Sequence, residues 1–426
     1  MASLSEVLAL CKKGQTQKAY DLSKADMEHQ FPWAQRIMGW TLYYMMKEDT
    51  DKNDYASLEA HLDEFSTLDQ LSVTIDKMIY ENVLFKVAGF VKDHVPPKDI
   101  SSPDRLSSLF SKIRGFRFVA SKGYSFLLQS FTKCDNWQEM ADFIEWWNLD
   151  NLTQEDYTPF KTEAGKSIMS IAEQAFIAKS KALLRLNDKA RIEEFLPQMR
   201  GLMEHHPEMV YPSYFYGKLL LSLGSNTDEA LKAIIPFARR KANEFWIWQL
   251  LSDVFANDDE KQLACLLRAV NCRTKENFLG KVRIKLAAFY IQRNQYDYAK
   301  YQIDKIIQGY HQQGWHIPYE VDCWVHQSWI DTAIPNSKSP IDYMAITKSI
   351  LSKDSKVVEG NVCKRDDKAF AFLKTRGGDY FISPKVVRKY GLQDGEIVKG
   401  LVVNDFDKKK GIQTWICISI NKQSKI

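Results

Sequence analysis

Long hydrophobic runs are missing from this chain of 426 residues. No stretch reaches the roughly 20 apolar residues that a helix needs to cross a bilayer, so no membrane span is expected. The opening Met-Ala-Ser-Leu-Ser-Glu sets an acid inside the only apolar stretch near the start, unlike a signal peptide, and the cytoplasm is the expected compartment. Paired cysteines are missing too. Cys11, Cys134, Cys265, Cys272, Cys323, Cys363 and Cys417 are scattered singly, none at the two-residue spacing of a zinc knuckle or redox motif, and an odd number fits reduced thiols. Catalytic signatures are likewise scarce: there is no Gly-x-x-x-x-Gly-Lys loop, no His-Glu-x-x-His run and no Gly-x-Ser-x-Gly elbow. His205-His206 is the only adjacent histidine pair, and neighbours in sequence point apart on a helix, so no metal site is expected there. The acidic turn Asp258-Asp259-Glu260 reads as a helix start, and Arg239, Arg240 and Lys241 as cations at a helix end. These absences predict a non-enzymatic protein with no cofactor and no metal.

What the chain does have is length and aromatic bulk. It exceeds what one core usually serves, so two or three structural units are expected, and 23 Phe, 19 Tyr and 11 Trp supply their interiors. Charge is uneven. From Lys356 to Ile426 there are 15 Lys and Arg against 8 Asp and Glu, a balance of +7, which leaves −3 of the chain's +4 for residues 1–355. A basic tail on a slightly acidic body points to a polyanionic partner for the tail.

Four regions follow from the pattern: an N-terminal helical region over 1–155, helical repeats over 156–330, a linker with a short helix over 331–355, and a β domain over 356–426. In the first, Leu4 to Lys12, Gln17 to Phe31, Trp33 to Lys47, Tyr55 to Phe65 and Leu71 to Val91 carry apolar residues at three- and four-residue steps. Pro96 and Pro97 interrupt, Ser101-Ser102-Pro103-Asp104 marks a new helix start, and Asp150 to Thr158 reads as a polar loop. In the second, Trp248, Leu251, Ser252, Phe255 and Ala264 recur as Arg283, Leu286, Ala287, Tyr290 and Ala299, each displaced by 35 residues. A small residue after the Leu, an aromatic three later and an Ala nine beyond resemble the tetratricopeptide pattern, in which small residues let paired helices approach and the aromatic fills between pairs. The second helices are predicted to start near Asp258 and Gln295. Tyr214 to Leu223 with Asp228 to Lys241, and Ile168 to Leu186 with Ala190 to His205, continue the alternation. Such stacks form a solenoid with a concave face that takes a protein partner. Pro335 to Pro340 reads as a linker, and Ile341 to Leu351 as a bridging helix.

From Lys356 onward the period becomes alternating, and five strands are predicted: Lys356 to Lys364, Ala369 to Leu373, Asp379 to Ile382, Ile397 to Asn404 and Thr414 to Ile420. Five short strands suit a small barrel of the oligonucleotide-binding type. Gly360-Asn361-Val362, Lys368-Ala369-Phe370-Ala371-Phe372-Leu373, Asp379-Tyr380-Phe381-Ile382-Ser383 and Leu392-Gln393-Asp394-Gly395-Glu396-Ile397-Val398 together resemble the cold-shock domain. The second and third blocks correspond to its ribonucleoprotein motifs, usually Lys-Gly-Phe-Gly-Phe-Ile and Asp-Val-Phe-Val-His. The resemblance covers the last sixth of the chain and implies binding of single-stranded RNA or DNA. It departs from the family where the motif glycines are Ala369 and Ala371, where the first strand has no aromatic, and where Ser383 and Pro384 replace stacking residues.

By strand alternation Lys368, Phe370 and Phe372 share a face, joined by Phe381, while Ala369, Ala371 and Leu373 take the other. The resemblance makes the Phe face the stacking platform; alternation alone equally allows it to be the core. Lys364, Lys374, Arg376 and the run Lys408, Lys409 and Lys410 are the expected phosphate ligands, and Trp415 is either core or a further ring. A helical-repeat body with such a tail resembles proteins of bacterial mobile-element and phage-conflict islands, an impression carried by Phe245-Trp246-Ile247-Trp248-Gln249-Leu250-Leu251 and Gly314-Trp315-His316-Ile317-Pro318. The expected function is an adaptor, with RNA favoured over DNA on the tail and a protein on the solenoid. The alternative is a pure protein scaffold whose barrel is structural or protein-binding.

Overall fold

The computed structural model describes residues 3–31, 33–94, 104–115, 120–133, 136–165, 167–224, 227–407 and 412–422. A helical region precedes a closed five-stranded barrel, and contacts divide the chain into two compact units, Met1–Met199 and Arg200–Ile426. No helix of the described residues is long and apolar enough to cross a membrane.

The first unit is built from helices such as Leu4–Lys12, Thr16–Glu28, Ala34–Lys52, Tyr55–Ser66 and Lys77–His94, close to the predicted segments. Asp104–Ile113 follows; the expected start signal over 101–103 and the Pro96-Pro97 break lie outside the described residues. Its core is aromatic. Phe131 and Phe143 stack with centroids 3.7 Å apart, and Tyr124 stacks on Trp147 at 4.5 Å. The Tyr124 hydroxyl donates to the Trp147 carbonyl, and the Trp147 indole donates to the Tyr124 carbonyl, each at 2.9 Å. Each ring buries its apolar body while its polar tip is satisfied by the neighbour's backbone. The polar stretch after Trp147 forms two short 3-10 turns, Leu149–Asn151 and Gln154–Tyr157, before a hairpin of β1 (Phe160–Lys161) and β2 (Ser167–Ile168). Buried Asp156 accepts from Ser125 Oγ, Thr153 N and Thr153 Oγ1 at 2.8–2.9 Å, so this loop is fastened to the helix Lys122–Phe131.

The second unit opens with helix pairs: Pro212–Ser222 with Thr227–Arg240, Phe245–Val254 with Asp259–Val270, and Gly280–Ile291 with Tyr296–Gln313. Gly217 shows why a small residue is needed between paired helices: a Cβ there would meet Ile234 Cγ1 at 2.4 Å. The second helices begin where the spacing places them, and Asp258 caps its helix by accepting from the Lys261 amide at 3.1 Å. Nine of the ten residues of the 35-residue correspondence are buried; Phe255 is half-buried because its helix ends at Val254. Arg283 takes the place that Trp248 holds one pair earlier. Its guanidinium is tolerated in the interior because Gln302 Oε1 accepts at 2.5 Å and the Glu276 carboxylate pairs with it.

The Pro335–Pro340 stretch is held at its start, where Asp297 accepts from the amides of Ile334 and Asn336. The helix Tyr343–Leu351 packs on Asp259–Val270 and buries Thr347 and Ile350. Arg239 donates to the carbonyls of Leu351 and Lys353, and Arg240 pairs with Asp405 of the barrel. These two cations do more than offset a helix dipole: Arg239 holds the segment that leads into the barrel, and Arg240 holds the barrel itself through Asp405. Partial burial holds the Arg239 guanidinium below its usual range.

The barrel strands are β3 (Lys356–Cys363), β4 (Ala371–Thr375), β5 (Gly378–Ile382), β6 (Ile397–Asp407) and β7 (Ile412–Lys422), closing in the order β3-β4-β5-β7-β6. All neighbours are antiparallel except β5 and β7. The core holds Val362, Ala371, Leu373, Ile382, Val398, Val402, Cys417 and Ile420, with Val387 and Leu392 from the β5–β6 connection. The alternating pattern places no element between the strands predicted to end at Ile382 and to begin at Ile397, yet this connection contains the helix Pro384–Tyr390, because Ser383 Oγ accepts from the Val386 amide and Pro384 occupies the first turn, where its missing N–H costs nothing. The register shifts at Leu401/Val402, where the pairing skips Ile418 of β7, so that Cys417 and Ile420, three residues apart, both face the core.

Burial pushes the Cys417 thiol from 9.0 up to about 11. The unfolded chain therefore ionises first, and the stability contributed by the neutral thiol is complete below pH 9 and is lost as pH rises toward 11. Urea melts across that window are expected to show a fall in stability that Cys417→Ala reduces.

Candidate nucleic-acid interface

The outer face of β3, β4 and β5 carries the candidate site. Strand β4 settles which way its residues point. Ala371 is 1% exposed and Leu373 0%, so both face the core, and Phe372 between them faces out. Register then builds a row across the sheet: Cys363 lies opposite Phe372, Phe372 opposite Phe381, and Phe381 beside Ile416 on the parallel strand β7. Phe370, immediately before β4, joins from the side. The three Phe rings meet with centroids 5.6–5.8 Å apart at interplanar angles of 45°, 69° and 89°, each half-buried by the others. Edge-to-face packing leaves part of each ring open to solvent and holds the rotamers against one another.

Lys368 and Ala369 lie in the loop before β4, which begins at Ala371 and not at Ala369 as the alternation suggested. Ala369 is accordingly exposed, not turned to the core. Lys368 forms an ion pair with Asp367 at 3.2 Å. The Lys364 amide donates to Asp394 Oδ1 at 2.7 Å, which ties the end of β3 to the turn before β6. Lys374 projects from β4 directly opposite Asp379, and Arg376 sits exposed at the tip of the β4–β5 turn. Thr375 Oγ1 fastens that turn, donating to the Gly378 carbonyl and accepting from the Gly377 amide. Lys408, Lys409 and Lys410 lie outside the described residues. Trp415 is half-buried against the barrel core, with Lys356 Nζ 4.4 Å from its ring centroid, so one of its faces is already occupied.

Sequence reasoning missed three features. Cys363 and Ile416 flank the Phe rings, and only register reveals them. The exposed acids Asp366 and Asp367 share the loop with Arg365 and Lys368, and Asp379 faces Lys374, so the rim mixes both signs. Ser383 and Pro384, in place of the family's stacking residues, start a helix. His205 and His206 turn to different partners, the Gly201 carbonyl and Glu208.

Half-buried rings beside the exposed cations Lys374 and Arg376 can accept the face of a base and the adjoining phosphate.

Two family models match the chain. One describes a domain of unknown function (DUF7017) and covers residues 210–348, the helix pairs and most of the bridging helix. The other covers residues 356–420 and describes the S1/CSD-like domain 2 of the TOTE conflict systems. No curated protein matches the chain. The barrel that carries the Phe rings is thus similar to an S1/CSD-like domain of conflict systems.

Proposed function

We propose that this protein is a non-enzymatic adaptor that holds single-stranded nucleic acid, RNA in preference to DNA, on the Phe370–Phe372–Phe381 face of its barrel. The observation that carries the reading is the outward ring cluster, with Ala371 and Leu373 turned to the core behind it. Lys364, Lys374 and Arg376 supply phosphate contacts around it, and Lys368 joins them where a phosphate displaces Asp367. The helix pairs, with their 35-residue correspondence, act as a tetratricopeptide-like solenoid whose concave face takes a protein partner. The likeness of the barrel to a conflict-system domain supports a role in a bacterial phage-conflict system, beside partner enzymes that perform the chemistry.

Fluorescence anisotropy of labelled single-stranded RNA, single-stranded DNA and duplex DNA tests this. Single strands are expected to bind more tightly than duplex, with log K falling linearly in log salt by about 0.7 for each phosphate contacted. Equal affinity for duplex would overturn the single-strand reading, and no binding at low salt would leave the protein-only scaffold as the better account.

A further inference from the structure

The last helix pair of the second unit presents a second surface of aromatic rings and free cations. Phe278 is 58% exposed and Trp315 46% exposed, both high for large apolar side chains. They are distant in sequence but belong to one patch. Gly280 brings the turn that carries Phe278 against the helix Tyr296–Gln313: a Cβ at Gly280 would lie 3.0 Å from the Tyr310 ring. Tyr310 in turn meets Trp315 edge to face at 5.5 Å and 83°. The turn that carries Phe278 is thus laid on Tyr310, and Tyr310 links it to Trp315.

Its exposed charge is mainly positive. Arg273, Lys275 and Lys281 are exposed on the same turn and the helix start after it, and none has a carboxylate partner among the described residues. The one acid between them, Glu276, is already engaged by the buried Arg283. The neighbouring cations Lys285 and Lys300 are paired with Asp253 and Asp304, so the free charge collects at the Phe278 turn. Cations with exposed rings among them fit a strand that offers phosphates and unpaired bases together. An acidic peptide would use the charge but leave the rings without a partner of matching shape.

We infer that Phe278, Trp315, Arg273, Lys275 and Lys281 form a second contact surface for single-stranded nucleic acid, on the helical region and separate from the barrel. The inference rests on the reading of the protein as a single-strand binder, but on none of the barrel's residues.

The test uses the full chain and a long labelled oligouridylate, with four variants: Phe278→Ala/Trp315→Ala, Lys275→Ala/Lys281→Ala, Phe370→Ala/Phe372→Ala, and the first and third combined. Thermal melts followed by circular dichroism establish that each is folded. The Phe278/Trp315 variant is expected to bind about 5-fold more weakly. The lysine variant is expected to lower the salt slope by about 1.4, about 0.7 for each of two phosphate contacts. The combined variant is expected to bind more weakly than either parent. Wild-type affinity and slope in both helical variants, with loss in the barrel variant, would overturn the second surface and leave the barrel reading standing. Loss in the helical variants with a wild-type barrel variant would do the reverse. No binding by the wild type would overturn both.

Discussion

Replacing Phe370 and Phe372 together by alanine is expected to weaken single-strand binding by about 10-fold or more, with little change in the salt slope. Stacking of a base on an aromatic ring is worth ~1–3 kcal/mol, and ~1.4 kcal/mol is tenfold in affinity. The two rings face outward, so removing them leaves the packing of Ala371, Leu373 and Ile382 in place. They do support Phe381, which loses a neighbour on two sides. A Phe372→Leu variant separates the effects, since it keeps bulk against Phe381 and removes the π face. The cations Lys364, Lys374 and Arg376 remain in the double variant, so its residual binding should keep its dependence on salt. Anisotropy measured at several salt concentrations reads both quantities at once.

The second large effect is on folding. Gly360→Val is expected to destabilise the barrel by about 3 kcal/mol, at the upper end of what overpacking costs. Gly360 lies on β3 where it passes close to the end of β4, and a Cβ there would fall 2.2 Å from the Lys374 carbonyl oxygen and 2.9 Å from its carbon. Backbone cannot swing aside as a flexible side chain can, so strand β3 or β4 must move and their pairing at Asn361–Lys374 must loosen. Gly400, on the neighbouring strand β6 opposite Val358, is a milder case, because the atoms in its way are the Leu373 and Cys417 side chains. A fall in melting temperature on the order of 6–12 °C is the corresponding signal in a unit the size of Arg200–Ile426. An unchanged melt would show that β3 and β4 do not approach as described.

Much of this architecture is written in local sequence. The five strands were legible because alternation places Val362, Ala371, Leu373 and Ile382 on one face, and the helix pairs because Leu251, Ala264, Leu286 and Ala299 recur at a fixed displacement. Even the choice between Phe and Ala as the inner face of β4 needed only one further fact, which residues the neighbouring strands bury. Ser383-Pro384 did announce a helix in its own chemistry, yet a seven-residue element is too short to show periodicity. Other features have no local signature. Arg239 and Arg240 look like ordinary helix-end cations, and their partners, Leu351, Lys353 and Asp405, lie more than a hundred residues away. Cys363 and Ile416 become neighbours of the Phe rings only through strand register. Asp156, read as part of a polar loop, is buried because Ser125, in a distant helix, donates to it.

Photo-crosslinking of the full chain to a 4-thiouridine-labelled single strand, with the adducts mapped by mass spectrometry, tests the central claim most directly. The account predicts adducts on the peptides that carry Phe370, Phe372 and Phe381, suppressed by unlabelled strand and by salt. A strand that binds and crosslinks elsewhere while leaving residues 363–382 unmodified would contradict it.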